Sequence, residues 1–445
     1  MTGPSNDFVD PDEDGFADDD LLSPDDNHVD PRAMKNNGPT AQKSFLERDN
    51  FENELGSAAE DPFGEDFSDI SKHEIVDVFG EGDLAGRPVI VIYAYRFPSN
   101  KTFDHLKFLR FIQFTLDKVV EMDYSIIYFH YGLRSNNKPP VNFLLKAYQM
   151  LDRRYKKNLK ALYLVHPTKF IRFVWTLFKP LISYKFQEKM HYVNTLGELS
   201  SGISVSNMNL PQPIIDHDKS ISSTSKVPQS TSQQLSPHPP RPTQQFNVSL
   251  QFILDHHPNC DVPPLVTELI DFMRKHGMNI EGIFRRSATV SVVKNLQARI
   301  DLGEKIDFIN DPEFDGDIQK AIIHASVLLK TFLRSLGEPV ITNALYPELA
   351  LLNGVSKEDR PEAVRKLTQK MPPENYLLLK TVIKFLTEVA ENSHNNLMDA
   401  NNLSVVFGPN LTWPTDQQVP ILQLNNLNNF CYTLIKHFDY IFEGR

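Results

Sequence analysis

The sequence predicts a multidomain chain with a disordered acidic N-terminal tail, an α/β domain, and then an all-α domain. Three observations predict it. Acidic residues crowd the first seventy positions, short β-branched runs alternate with helical stretches to about residue 216, and helical periodicity alone continues from about residue 246. The 445 residues leave room for two or three domains, and with 40% hydrophobic and 23% charged residues most of the chain is able to bury a core.

Residues 1–70 hold 20 acids against 4 bases, a net charge of −16. They are rich in Asp, Asn, Pro and Gly, show no helical or strand period, and cannot offset their ordering entropy. The tail reads either as a solubilising leader or as an acidic arm screening the basic domain behind it.

Residues 71–216 carry a net charge of +8. The runs 88–94 (PVIVIYA), 125–129 (SIIYF) and 161–165 (ALYLV) read as strands, and 104–120 and 141–155 as the helices that cross between them. Gly80, Gly82 and Gly86 lead into a strand rather than a helix, so they read as a turn and not a phosphate cradle. Arg153, Arg154, Lys156, Lys157 and Lys160 form a basic run that is either a solvated helix end or a contact for anionic lipid headgroups or an acidic protein. Residues 170–186 interleave aromatics with Lys and Arg and are read as a core helix in preference to a gate.

Residues 217–245 are Ser-, Gln- and Pro-rich, the composition of a linker. Within them Pro237, Pro239, Pro240, Arg241 and Pro242 offer overlapping P-x-x-P frames, a polyproline II shape that SH3 domains bind. Arg241 directly follows the second proline of its pair, so neither usual orientation is matched well, and a plain spacer stands as the alternative. From residue 246 helices are expected at 262–276, 289–300, 319–335, 361–370, 374–391 and about 424–438.

Much is excluded. Two cysteines without C-x-x-C spacing rule out a disulfide scaffold and a thiolate zinc cluster, and they suit a reducing compartment. The first twenty residues are acidic without an apolar core, and no uncharged apolar run approaches the roughly 18 residues of a membrane span. A soluble cytoplasmic protein is expected, with peripheral attachment to membranes left open and no nucleic-acid partner. There is no P-loop, no His/Glu cluster at metal spacing and no nucleophile elbow, so no cofactor of its own is expected.

What the chain has instead is three separated pieces: residues 281–288 (EGIFRRSA), 324–339 (HASVLLKTFLRSLGEP) and 401–411 (NNLSVVFGPNL). On the middle helix Ile322, Ala325, Leu329, Phe332, Leu333 and Leu336 gather as an ordinary core stripe. Ile323, Val327, Lys330 and Arg334 gather on a different side. A stripe of aliphatics and cations suits an interface with an acidic, phosphate-bearing partner, or else the aliphatics pack under a neighbouring helix and the cations are solvated.

In order and spacing, the three pieces resemble the RhoGAP domain, the GTPase-activating module for Rho-family small GTPases. The resemblance implies that Arg285 is an arginine finger, with Arg286 turned toward its own domain. It places Lys330, Arg334 and Asn410 at or beside the GTPase surface, the first two holding the finger loop and the GTPase switch region, and Ile323 and Val327 share that surface. Asn402 is expected to close a helix end. GTP and Mg²⁺ would be held by the partner, a Rho-, Rac- or Cdc-type GTPase. Phosphoryl transfer needs charge on the γ-phosphate oxygens neutralised in the transition state, and a planar, permanently charged guanidinium does this well. One departure is Gly337, where the family usually has proline; a looser helix exit is expected there.

In front, AGRPVIVIYAYR and LDRRYKKNLKALYLVHPTKF resemble the CRAL-TRIO lipid-binding fold in its shortened BCH form. The combined expectation is an activator of Rho-family GTPases with a regulatory front domain that binds lipid or protein. A binding-only GTPase scaffold and a lipid carrier with an accessory helical domain are the rivals.

Overall fold

The computed structural model describes residues 65–443, apart from 80–81, 118, 201–202, 204, 206–207, 225–238 and 414–418. The acidic tail as far as residue 64, Gly80, Pro237 and the middle of the linker lie outside the described residues.

The front domain is a sheet with crossover helices. Its strands are β1 (Val76–Phe79), β2 (Val89–Tyr93), β3 (Tyr124–Phe129), β4 (Leu159–Val165) and β5 (Met190–Val193). From β2 to β5 they run parallel, whereas β1 pairs antiparallel with β2. The crossovers are α1 (His105–Leu116), α2 (Val141–Met150) and α3 (Lys169–Phe178). Asp104 starts α1 by accepting the backbone N–H groups of Leu106 and Lys107. A further helix, α4 (Gln212–Thr224), crosses residue 217, where the sequence turns Ser-rich.

Both faces of the sheet are covered, as expected for parallel strands. On one, Val89, Val91, Ile127 and Phe129 pack with Leu210 and with Ile214 of α4. On the other, Val76, Val78 and Ile90 belong to a cluster with Phe108 and Phe111 of α1, and that cluster continues unbroken into the core of the rear domain.

The rear domain is built on α5 (Pro264–His276), α6 (Val290–Asp301), α7 (Ile318–Ser335), α8 (Pro373–Glu391), α9 (Ala400–Leu411) and α10 (Ile421–Lys436). Helix α7 is buried along most of its length on all sides, making it the central rod of the bundle. Its N-terminus is capped by Asp317, which accepts the Lys320 N–H at 3.0 Å. Its exit differs from the expectation: Gly337 is tied down, its N–H donating to the Val248 carbonyl at 3.0 Å. A proline there has no hydrogen to donate.

Just before α10, the two-residue strand β6 (Val419–Pro420) pairs antiparallel with β1, Val419 opposite Val78 and Pro420 opposite Asp77. The sheet therefore has six strands in the order β5-β4-β3-β2-β1-β6, and its last strand comes from the rear domain. Asp77 is buried beside this edge, 3.3 Å from Arg96, and burial pushes its carboxyl up to about 6 in spite of the nearby cation.

Candidate functional site

The loop after α5 is held by its backbone. Gly282 donates to the carbonyl of Asn396 at 2.8 Å, while Asn396 donates to the carbonyls of Met278 and Val389, both at 3.0 Å. Phe284 follows with φ 69°, a left-handed conformation that costs about 1–3 kcal/mol for a residue with a side chain. Packing over-determines it. The ring is buried edge-on against Phe407 (4.9 Å between centroids) and Phe385 (6.1 Å). With Phe284 driven inward, the next residue, Arg285, is only half-buried.

Lys330, from the middle of α7, reaches the same loop. Its Nζ donates to the Phe284 carbonyl at 2.9 Å and to the Gly86 carbonyl of the front domain at 3.1 Å. Burial, with some help from Arg334 one turn away, pulls its pKa down to about 7, against a weaker pull from Asp83 and Asp123. Arg334 lies over Gly82: a Cβ built there would come within 2.4 Å of Arg334 Nη1. Val327 lies over Gly86 in the same way, with a Cβ at 2.9 Å from Cγ1. Gly82 and Gly86 have φ of 70° and 73°, so both the backbone shape and the close approach call for glycine. Asp83 fixes the turn between them, accepting from the N–H groups of Ala85 and Arg87, from Arg87 Nε at 2.6 Å and from Ser125 Oγ at 2.8 Å. These glycines form the turn before a strand, as read from sequence, and that turn is also what rests on the rear domain.

A second front-domain segment closes the other side. Ser287 Oγ donates to Asp123 Oδ2 at 2.9 Å, and Glu121 feels the charge of Arg285. Burial pushes the Glu121 carboxyl up, with Arg154 and then Arg285 acting against it. Among Arg285, Lys330, Arg334, Met122 and Asp123 there remains only about 20 Å³, room for one water.

Arg285, Lys330 and Arg334 thus line one site, while Val405, Val406 and Pro409 of α9 form its wall. Asn410 stands one step behind that wall, fully buried, with Nδ2 donating to the Val406 carbonyl at 2.5 Å. Ile323 is buried further up α7. The stripe Ile323, Val327, Lys330 and Arg334 is not open to solvent as a free interface would be, because the front domain already covers its lower part. Arg286 is exposed and not turned into its own domain; its methylenes lie near Gly282. Asn402 donates its backbone N–H to Asp399, the cap of α9, at 2.8 Å and its Nδ2 to the Leu397 carbonyl at 3.0 Å, a helix-closing role. His324, missed by sequence reasoning although it opens the second motif, accepts the Thr289 N–H at 3.2 Å and so ties the far end of the loop that carries Arg285 to α7.

The basic run is not an open patch. Arg154 pairs with Asp117 at 2.9 Å, Asp152 at 2.8 Å and Glu121 at 3.5 Å, Lys160 pairs with Asp123 at 3.0 Å, and Lys156 lies 4.4 Å over the Tyr148 ring. Arg153 and Lys157 are engaged as well. Pro239, Pro240, Arg241 and Pro242 are exposed. No helix among the described residues is long and apolar enough to cross a membrane.

Comparison with known proteins agrees with this architecture. Residues 263–416 match the RhoGAP domain and residues 86–220 the divergent CRAL/TRIO domain. The chain is 40% identical to human Rho GTPase-activating protein 1 over 85% of its own length and 84% of the relative's. It is 37% identical to mouse Rho GTPase-activating protein 8 (85% and 87%) and 35% identical to Drosophila melanogaster Rho GTPase-activating protein 68F (95% and 88%). A chain with a helical RhoGAP domain behind a CRAL/TRIO domain, alike to these relatives over most of both lengths, belongs to the family of Rho GTPase-activating proteins.

Proposed function

We propose that the chain accelerates GTP hydrolysis in a Rho-family small GTPase by placing Arg285 against the departing γ-phosphate, with GTP and Mg²⁺ held by the GTPase. The observation that carries this reading is the Lys330–Phe284 contact, which holds the residue before Arg285 in its left-handed turn. An arginine so held needs little reordering when a phosphate arrives, and its flat guanidinium bridges two oxygens. In the arrangement described, the front domain occupies the ground a GTPase needs, so access to Arg285 requires the two domains to part. Exposed Pro239–Pro242 remains available to an SH3 domain.

Single-turnover hydrolysis by Rho-, Rac- and Cdc-type GTPases tests the assignment. Arg285→Ala is expected to lose about 10³ to 10⁵ of the stimulated rate while still binding the GTP-loaded GTPase, and Arg285→Lys to recover little. Unchanged acceleration in Arg285→Ala removes the finger from this position.

A further inference from the structure

A single helical turn, Ser393–Asn396, closes on Leu397, which has φ 59° and ψ 26°. A left-handed residue that ends a helix is ordinarily glycine or asparagine, because a larger side chain crowds its own backbone. The surroundings hold Leu397 in this shape. It donates its N–H to the Ser393 carbonyl at 2.9 Å, and its own carbonyl accepts from Asn402 Nδ2 at 3.0 Å. Next to it Asn396 is fully buried, with Oδ1 accepting the Met398 N–H at 2.8 Å and Nδ2 donating to the carbonyls of Met278 and Val389.

Packing does not repay the leucine, which is 45% exposed. One exposed leucine on an ordinary helix would need no explanation. Here a large apolar side chain stands where asparagine would be more comfortable, and much of it faces water. Its use therefore lies with something that covers it.

The position says what. The Asn396 carbonyl accepts the Gly282 N–H at 2.8 Å, and the Gly282 carbonyl accepts the Arg285 N–H at 2.9 Å. The second bond closes a turn whose ends lie within about 7 Å of each other. Asp399, two residues past Leu397, acts on the same Glu121 carboxyl that feels Arg285. Leu397 thus stands on the rim of the ground around Arg285. A globular partner seated over Arg285 covers about 800 Å², a disc of about 16 Å radius, which takes in Leu397.

We propose that Leu397 is a contact for the GTPase, packing against an apolar patch on its surface and adding to affinity. The inference rests on the GTPase-activating reading and extends it by a residue that binds but takes no part in phosphoryl transfer. Apolar surface at such a rim is covered equally in the bound complex and in the transition state. Its loss raises KM and leaves kcat where it was.

The test is hydrolysis stimulated by the full chain, measured against the concentration of a GTP-loaded Rho-, Rac- or Cdc-type GTPase. Leu397→Asn is expected to raise KM about tenfold and to keep kcat within about twofold. Its Tm should equal or exceed that of wild type, since asparagine tolerates the left-handed shape better. Leu397→Met, apolar and of similar volume, should keep KM within about threefold of wild type. A merely structural leucine would give the opposite pattern in Leu397→Asn, a lower Tm with KM unmoved. That pattern, a wild-type KM, or a fall in kcat as large as the rise in KM overturns the proposal and leaves Arg285 in its role. Absence of stimulation of all three GTPases by wild type overturns both readings together.

Discussion

Lys330 Nζ donates to the carbonyls of both Phe284 and Gly86, so one ammonium joins the finger loop to the domain that covers it. The closed arrangement and the catalytic geometry share an atom. Loosening the lid without touching the finger therefore has to be done from the other side of the contact.

Gly86→Ala does this. At φ 73° a side chain is strained, and the new Cβ would sit 2.9 Å from Val327 Cγ1. The φ strain is carried whether or not the domains part, but the contact with Val327 burdens only the closed form, and overpacking of about 1 kcal/mol or more there favours opening about fivefold. The full-length variant is expected to stimulate GTP hydrolysis faster than wild type at equal concentration. Stimulation equal to wild type, in a variant that melts normally, would mean the turn does not restrain the site.

Closure should also respond to pH. Enclosed Lys330 gives up its proton near 7, while an exposed lysine does so near 10.5. Closing releases a proton between these values, so it is favoured as pH rises, fully so above 10.5, and this contribution is lost as pH falls through 7. The stimulated rate of wild type divided by that of Gly86→Ala is expected to fall between about pH 7 and about pH 8.5. Taking the ratio cancels the pH dependence of the GTPase itself. A flat ratio removes Lys330 from the closing contact.

Phe284 supports the finger from beneath. Phe284→Ala empties the space against Phe385 and Phe407 and is expected to cost about 3–5 kcal/mol of stability, read as a lower midpoint in denaturant. At temperatures where the variant remains folded, its stimulated rate should drop with that of Arg285→Ala. Normal stimulation would show that Arg285 finds its place without this anchor.

At the exit of α7, Gly337→Ala keeps the hydrogen bond to Val248, and its Cβ meets nothing nearer than 3.5 Å. It should stabilise the chain by about 0.4–1 kcal/mol through the unfolded state. Leu336 is already extended (φ −60°, ψ 141°), as the residue before a proline must be, but Gly337→Pro forfeits the hydrogen bond and should fall about 1 kcal/mol or more below the alanine variant. Thermal unfolding of the two side by side decides it.

The three motifs were readable because each is local, and Arg285, Lys330 and Arg334 do line one site. What covers them was not, since Lys330 and Gly86 are 244 residues apart and no local pattern records such a pairing. Charge counting could not show that Arg154 and Lys160 are paired, for the same reason: Asp117 and Asp123 arrive from an earlier crossover. The interleaved aromatics and cations of 170–186 marked a helix, of which Val174 and Phe178 are buried while Phe173 and Leu177 are exposed. The four-residue strands β1 and β5 and the two-residue β6 were too short to show a period.

The shared sheet has a consequence for the opened protein. When the rear domain withdraws Val419 and Pro420, β1 is left as a bare edge whose N–H and C=O groups would accept a strand from any neighbour. Among the residues of β1 only Asp77 is charged, and it sits 3.3 Å from Arg96. If the domains part, that border would stay adhesive until the same two residues, or a strand from another molecule, seal it again.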